Sequence, residues 1–278
     1  MADKKMPKPK KAAQTTISIK AKIIATIVPV VTVLIVIMII LSYTISSKII
    51  SGNATSLLES SISYQSESIS AWLDENLAAF SAAKQTIEQT HADGENLQKI
   101  LNSYYDYNAN YPNGLYVADE NGTVIKADES EQNFSDVTNS TWYKEGLTRI
   151  NMKYGSAYES EDGTKQVSAS AMLNDGSGRI RIISADVSLQ RIAIIVNSFV
   201  KMNNAAAFLV DTNDGTILAH RDTSLVSTKL DTSNSDAFLS SVADKIDNVN
   251  YDTCELNGNL TGFETIAGTD WVLVSYIP

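Results

Sequence analysis

Two histidines, His91 and His220, and one cysteine, Cys254, are all that 278 residues offer to nucleophilic or metal chemistry. They stand far apart in the chain, and no HExxH, GxSxG or CxxC run accompanies them, so zinc hydrolases, serine esterases and dithiol oxidoreductases find no support. Paired carboxylates can hydrolyse glycosides, but the acids here fall mainly in turns and on helical faces. We therefore expect no catalytic residue, no cofactor and no metal ligand. A lone cysteine also admits no internal disulfide, so packing alone must hold the fold. His91 sits in a turn without a visible partner and reads as solvated.

Charge is divided unevenly. Residues 1–22 hold seven lysines against Asp3, about +6, which leaves about −16 on the remainder of a chain whose net charge is −10. That acidic remainder disfavours nucleic acid as a partner. Between the two lies an uncharged run from Ile23 to Ser47, with IIATIVPVVTVLIVIMIIL at its centre. Nineteen such residues cross about 30 Å of hydrocarbon as a helix. A secretory signal would carry a shorter apolar core of about 7 to 15 residues and a small-residue cleavage site. We expect a transmembrane helix over 23–47, with Pro29 kinking it at most. The preceding lysines put residues 1–22 in the cytoplasm as a basic tail and everything from about Lys48 outside the membrane.

Beyond the span, Leu58, Ile62, Ile69, Trp72, Leu73, Leu77, Phe80 and Ile87 recur at helical spacing with no proline among them. This predicts a long amphipathic stalk helix to about Gln89. HADGE then turns the chain, and NLQKILNSYYDYN predicts a second helix ended by Pro112 and Gly114, so that 48–111 is helical. From Gly114 the period becomes that of strands: GLYVAD, TVIKAD, QVSASAML and RIRIISADVSL, parted by DENG, EDGT and NDGSG, with a short helix in NSTWYKEGL. A connecting helix is expected over 190–204. The strand pattern resumes with AAFLVD, TILAH, NYDTCELN, LTGFETI and DWVLVSYIP around a helix in DAFLSSVADKI. LYVADENGTVIKAD (115–128) and FLVDTNDGTILAHR (208–221) read almost alike, and Gly122 aligns on Gly215 without a gap. Two tandem antiparallel-sheet modules account for this, one over 112–189 and one over 205–278.

This order of elements, ending in WVLVSYIP, resembles the double Cache extracytoplasmic sensor of bacterial transmembrane receptors, typically methyl-accepting chemotaxis proteins. The resemblance covers about residues 20–278. It implies an α+β fold: an N-terminal transmembrane helix, a helical stalk and two PAS-like (Cache) sheet modules. In that family the last strand runs on into a second transmembrane helix and cytoplasmic signalling modules, so this chain looks like the input half of a receptor. The resemblance further implies a cell-membrane location, homodimerisation through the stalk and a small-molecule ligand in the membrane-distal module.

In amino-acid-binding members that ligand is surrounded by a tyrosine, an arginine, a Trp-Tyr pair, a further tyrosine and a late aspartate. Here Trp142 and Tyr143, Tyr158 and Asp186 stand at matching places. Ser140 stands where the arginine would be and Ser135 where the first tyrosine would be. Tyr116, Ser168 and Ser170 complete the candidate set. An arginine fork clamps a carboxylate, whereas a lone aspartate among aromatic walls favours N–H donors and flat or cationic groups. An amine, a pyrimidine or a purine is the expected ligand. Amino acids and short carboxylates are the alternative. His220 and Arg221, in AHRD, are a possible second site for acetate or lactate, as in some family members' proximal module. The expected output is chemotaxis, with a histidine kinase or cyclic-dinucleotide enzyme as the other endings. An anchored extracellular enzyme and an adhesive surface protein are the rival classes.

Overall fold

The computed structural model describes residues 18–202 and 204–278. The basic tail expected over 1–22 lies outside the described residues as far as position 17. Helix α1 runs from Ile19 to Thr90. The chain divides into two compact units after Ala54. In the first, every residue from 18 to 53 is exposed. Its most apolar 18-residue window has a mean hydropathy of 3.2, and among the described residues α1 is the helix long and apolar enough to cross a membrane.

The second unit begins at Thr55. There α1 turns one side inward, burying Leu58, Ile62, Ile69, Leu73, Phe80 and Ile87. Helix α2 (Gly94–Tyr104) follows, its N-terminus capped by the Asp93 carboxylate, which accepts from the Gly94 N–H. Two five-stranded antiparallel sheets come next. The first is β1 (Leu115–Asp119), β2 (Val124–Lys126), β3 (Lys153–Glu159), β4 (Lys165–Met172) and β5 (Arg181–Ser188), in the order β2-β1-β5-β4-β3. Helix α3 (Thr141–Gly146) lies between β2 and β3. Helix α4 (Leu189–Ser198) leads to β6 (Ala206–Asp211), β7 (Ile217–Ala219), α5 (Ala237–Asp247), β8 (Cys254–Leu256), β9 (Asn259–Thr265) and β10 (Trp271–Ile277). The second sheet has the order β7-β6-β10-β9-β8, the same path as the first.

Strand alternation sorts the two faces of each sheet. Leu115 and Val117 of β1, with Ala207 and Leu209 of β6, join α1, α2 and α4 in one core shared by both modules. The opposite faces are separate: Tyr116 and Ala118 pack with α3, and Phe208 and Val210 with α5.

Three sequence expectations need correction. Strand β3 was not anticipated. Its alternation is broken by a bulge between Tyr154 and Ala157, and it contains Gly155, where a Cβ would fall 1.6 Å from the Glu145 carboxylate. Glu145 Oε1 accepts the Ser156 N–H at 3.0 Å, docking α3 onto this strand. Next, the helix expected over 190–204 ends at Ser198. Asn197 and Ser198 turn their side chains back onto the carbonyls of Ala193 and Ile195 in its last turn. Last, the two repeats do not align without a gap. Asp119 bonds the Gly122 N–H and Asp211 the Gly215 N–H through equivalent carbonyls, so the second turn is one residue longer and Tyr116 corresponds to Phe208.

Buried polar bonds fix α1 against the sheets. Asn110 donates to Asn76 Oδ1 at 3.0 Å and accepts from Arg191 Nε at 2.8 Å, and Ser66 donates to the Thr265 carbonyl at 2.9 Å. At the β4–β5 hairpin, buried Arg181 donates to Asp175 through Nε at 2.6 Å and through Nη2, and to the Ala92 carbonyl at 3.2 Å. Burial pushes the Asp175 carboxyl up, but Ser177 and Arg181 outweigh it and hold the group below its ordinary value.

An aspartate so held adds stability above its unfolded pKa and loses it as pH falls through its folded one. Arg181→Met, which strands that carboxylate, should cost about 3–5 kcal/mol near neutral pH. The loss should shrink as the solution is acidified below about pH 4, as thermal denaturation at several pH values will read.

Candidate ligand-binding site

The inward face of the first sheet presents a carboxylate. Asp186 lies on β5, directly across from Ser168 of β4 and diagonal to Tyr116, whose own cross-strand partner is Ser184. Four side chains donate to it. Oδ1 accepts from Tyr116 Oη at 2.8 Å, from Ser168 Oγ at 2.5 Å and from Tyr158 Oη at 3.2 Å. Oδ2 accepts from Gln132 Nε2 at 2.8 Å. Tyr158 also accepts from Gln166 Nε2 at 2.8 Å. Asp186 is 8% exposed.

Burial raises the Asp186 pKa above its ordinary value, and the four donors pull against that shift. Burial, and then the nearby Asp186 charge, push Tyr116 and Tyr158 well up. Both phenols therefore keep their protons at neutral pH and act as donors.

Beside this carboxylate is a cavity of about 280 Å³. Trp142 and Phe134 form its aromatic wall, their ring centroids 6.0 Å apart, each packed on Tyr116 at 4.9 and 4.6 Å. Helix α3 holds Trp142 close to the sheet because its last residue is Gly146, where a Cβ would come within 2.4 Å of Ile182. Glu159, Glu161 and Asp162 join Asp186 in the lining, and among the described lining residues there is no lysine, arginine or histidine. Among the described residues, no group of three or more His, Cys, Asp or Glu is placed to hold a metal.

The structure brings together Trp142, Tyr158, Asp186, Ser135 and Ser140 around this cavity, with Tyr116 and Ser168 behind them on Asp186. Ser140 Oγ donates to the Val137 carbonyl and the Ser135 N–H to Glu161. Two candidates lie elsewhere. Tyr143 is buried behind Trp142, 5.8 Å ring to ring. Ser170 is buried beside Gly146 and Arg149. Sequence reasoning missed Gln132, Phe134 and Gln166. Phe134 left a usable signal as the lone aromatic in the polar run SEQNFSD, whereas a glutamine in such a run leaves none.

His220 and Arg221 occupy a different setting in the second module. The His220 ring packs 5.3 Å from Phe208, its Nδ1 accepts the Asp222 N–H at 2.9 Å, and Arg221 is exposed. Pairing along the second sheet places Tyr276 where Asp186 stands in the first, Phe208 at Tyr116, Thr261 at Ser168 and Phe263 at Ser170. Tyr276 packs on Phe238 at 4.7 Å and on Phe208 at 6.3 Å. Aromatic rings thus stand in the second module at positions that are polar in the first.

Residues 46–278 match the family model described as a Cache domain. Among curated proteins, none matches the chain. Among solved structures, the ligand-binding domain of the Pseudomonas fluorescens chemoreceptor CtaA in complex with L-serine is similar. Its TM-score is 0.66 at 17% identity, over 82% of this chain and 98% of that one. The domain of the Pseudomonas aeruginosa chemoreceptor PctC in complex with GABA gives 0.65 at 17% identity, over 81% and 99%. That of P. aeruginosa PctB with L-Arg gives 0.60 at 18%, over 81% and 95%. At these identities the likeness is one of fold.

Because the raised tyrosines stay protonated in the fold, raising pH past about 10 lets the unfolded chain release protons that the folded chain keeps. Stability should therefore fall with alkalinity in that range. Ultraviolet absorbance of phenolate should show part of the tyrosine ionisation appearing only with unfolding, and Tyr116→Phe with Tyr158→Phe should reduce that part.

Proposed function

Since the chain belongs to the Cache domain family, we propose that it senses a small molecule outside the cell as the input region of a bacterial transmembrane chemotaxis receptor. The module containing Asp186 is the membrane-distal, ligand-holding one, and the occupant presents N–H groups to that carboxylate. The observation that carries this reading is a nearly buried, donor-satisfied aspartate at the floor of an aromatic-walled cavity. Binding rather than turnover is the activity. The lysine-rich N-terminus lies on the cytoplasmic side, where a chemotaxis signalling module receives the signal, and two copies pair along α1.

Two ligand classes share this chemistry. The chemoreceptor domains of like fold hold L-serine, L-Arg and GABA, which supports an amino acid, its ammonium on Asp186. Its carboxylate would then meet neutral groups such as Asn113, Asn133 and Thr141, which also line the cavity. The second reading is a carboxylate-free amine or a nucleobase. It is favoured by a lining with four carboxylates and, among the described residues, no cation. A micromolar ligand supplies about 8 kcal/mol, of which only the part that differs between receptor states shifts the output.

Calorimetry on the full chain in lipid nanodiscs, with amino acids, short carboxylates, amines and nucleobases, separates the classes. Asp186→Ala should weaken the binding of the ligand found at least 100-fold, about 3 kcal/mol, and Arg221→Ala should leave it unchanged. For a cationic ligand, affinity should decline as pH falls through the raised Asp186 pKa, since the protonated carboxyl no longer attracts it. Undiminished binding by Asp186→Ala would refute the site.

A further inference from the structure

We propose that Gln132 sets the affinity threshold of this site, an internal N–H donor on Asp186 Oδ2 that an incoming N–H group must displace. The proposal rests on the reading of Asp186 as the ligand's acceptor and adds what decides which N–H donors reach it. Oδ1 already has three hydroxyl donors within 3.2 Å. Each carboxylate oxygen has about two acceptor positions, and Tyr116 and Ser168 fill those of Oδ1, the Tyr158 hydroxyl being shared with Ser168 Oγ at 2.7 Å. The donor on Oδ2 is the carboxamide of Gln132, and Gln132 and Asp186 both line the cavity. A ligand reaching for Asp186 meets Gln132 first.

That competition is not neutral with respect to charge. A carboxamide N–H on a carboxylate is assisted by one charge, an ammonium or amidinium N–H by two, and the doubly assisted bond is shorter and stronger. Exchanging Gln132 for a neutral amide or a neutral nucleobase N–H gains nothing. A cation gains the Coulombic attraction of Asp186, reinforced by Glu159, Glu161 and Asp162 in the same lining. Gln132 therefore sets a threshold that only cationic donors pass.

The segment that carries Gln132 is built to hold it there. Residues 127–136 form no strand or helix between β2 and the 3-10 turn at Val137–Asn139. Lys126 Nζ, from β2, donates to the carbonyls of Ser130 at 2.7 Å and of Gln132 at 2.5 Å. At its start the segment is tied to α2. Gln98 Nε2 donates to the Lys126 carbonyl at 2.7 Å, and Asn102 exchanges bonds with the Asp128 N–H and carboxylate at 2.9 and 2.7 Å. With the backbone of Ser130 and Gln132 held by Lys126 and the Ser135 N–H held by Glu161, displacing the Gln132–Asp186 bond releases the Gln132 side chain while the segment stays tied.

The test uses Gln132→Leu in the full chain in nanodiscs, with histamine and putrescine as cationic probes, L-serine as zwitterion, and cytosine and uracil as neutral N–H probes. Calorimetry should show tighter binding of the cationic and the neutral probes alike, each by tenfold or more, because the donor removed is one that every N–H ligand must displace. The neutral probes should thereby rise into the measurable range. A tenfold loss for the cationic probes would overturn the proposal, because Gln132 would then be holding the ligand itself; so would unchanged affinities. If Asp186→Ala also loses binding, only the present inference falls. If Asp186→Ala binds as the native chain does, the underlying reading falls with it.

A second readout needs no ligand. The ionisable groups facing Asp186 are Tyr116 and Tyr158, both neutral near pH 7, with Glu159, Glu161 and Asp162 around the cavity and the Lys126 ammonium held on backbone carbonyls. Removing the Gln132 donor penalises the charged carboxylate. The Tm loss of Gln132→Leu should therefore be greatest near pH 7 and shrink as Asp186 protonates. A Tm loss independent of pH would show that Gln132 does not serve Asp186, and would overturn the proposal.

Discussion

A charge taken out of water must find donors, and in this protein that requirement fixes what surrounds Asp186. The donors come from β1, β3, β4 and the segment after β2. No two of them are neighbours in sequence. They meet because the strand order β2-β1-β5-β4-β3 puts β5 in the middle of the sheet, with β1 on one side and β4, then β3, on the other. Residues on one face of neighbouring strands lie within reach of each other, so the sheet itself creates the donor ring. The hydroxyls are those of tyrosine and serine, and among the described residues no lysine or arginine donates to this carboxylate.

The second module shows how much of this depends on a few side chains. It has the same strand path, the same turn chemistry and a helix in the corresponding insert. Where the first module has Tyr116, Ser168, Ser170 and Asp186, it has Phe208, Thr261, Phe263 and Tyr276. Four substitutions exchange a polar basin for a packed aromatic core, with Val210, Val272 and Val274 closing the remaining space. One scaffold therefore carries a polar, carboxylate-bearing face in one copy and an aromatic one in the other.

Sequence reading reached the parts of this that follow from periodicity. The apolar run to Leu41, the inward stripe of α1 and the hydrophobic strands of both sheets are visible as patterns of type and spacing. Asp186 was accessible through the resemblance, as the late aspartate that matches the family's ligand-facing acid. Gln132 was not accessible, since its partner is 54 residues away and polar loops are full of glutamines. Strand β3 was missed because Gly155 and the adjacent bulge erase alternation, and those are the features that let α3 dock. The extra turn residue before Gly215 escaped notice because both turns read Asn/Asp-Gly-Thr, while backbone bonding, not letter identity, sets which strand positions face inward.

The buried amides that hold α1 have a mechanical consequence. Asn76 is bonded to Asn110 and through it to Arg191 of α4, while nearly three turns away on α1 Ser66 donates to the Thr265 carbonyl of β9. Sliding this helix lengthwise past the sheets would break both fastenings at once and leave polar atoms stranded in hydrocarbon. The helix is thereby pinned to β9 at one point and, through Asn110, to α4 at another, and a lengthwise shift would have to break both.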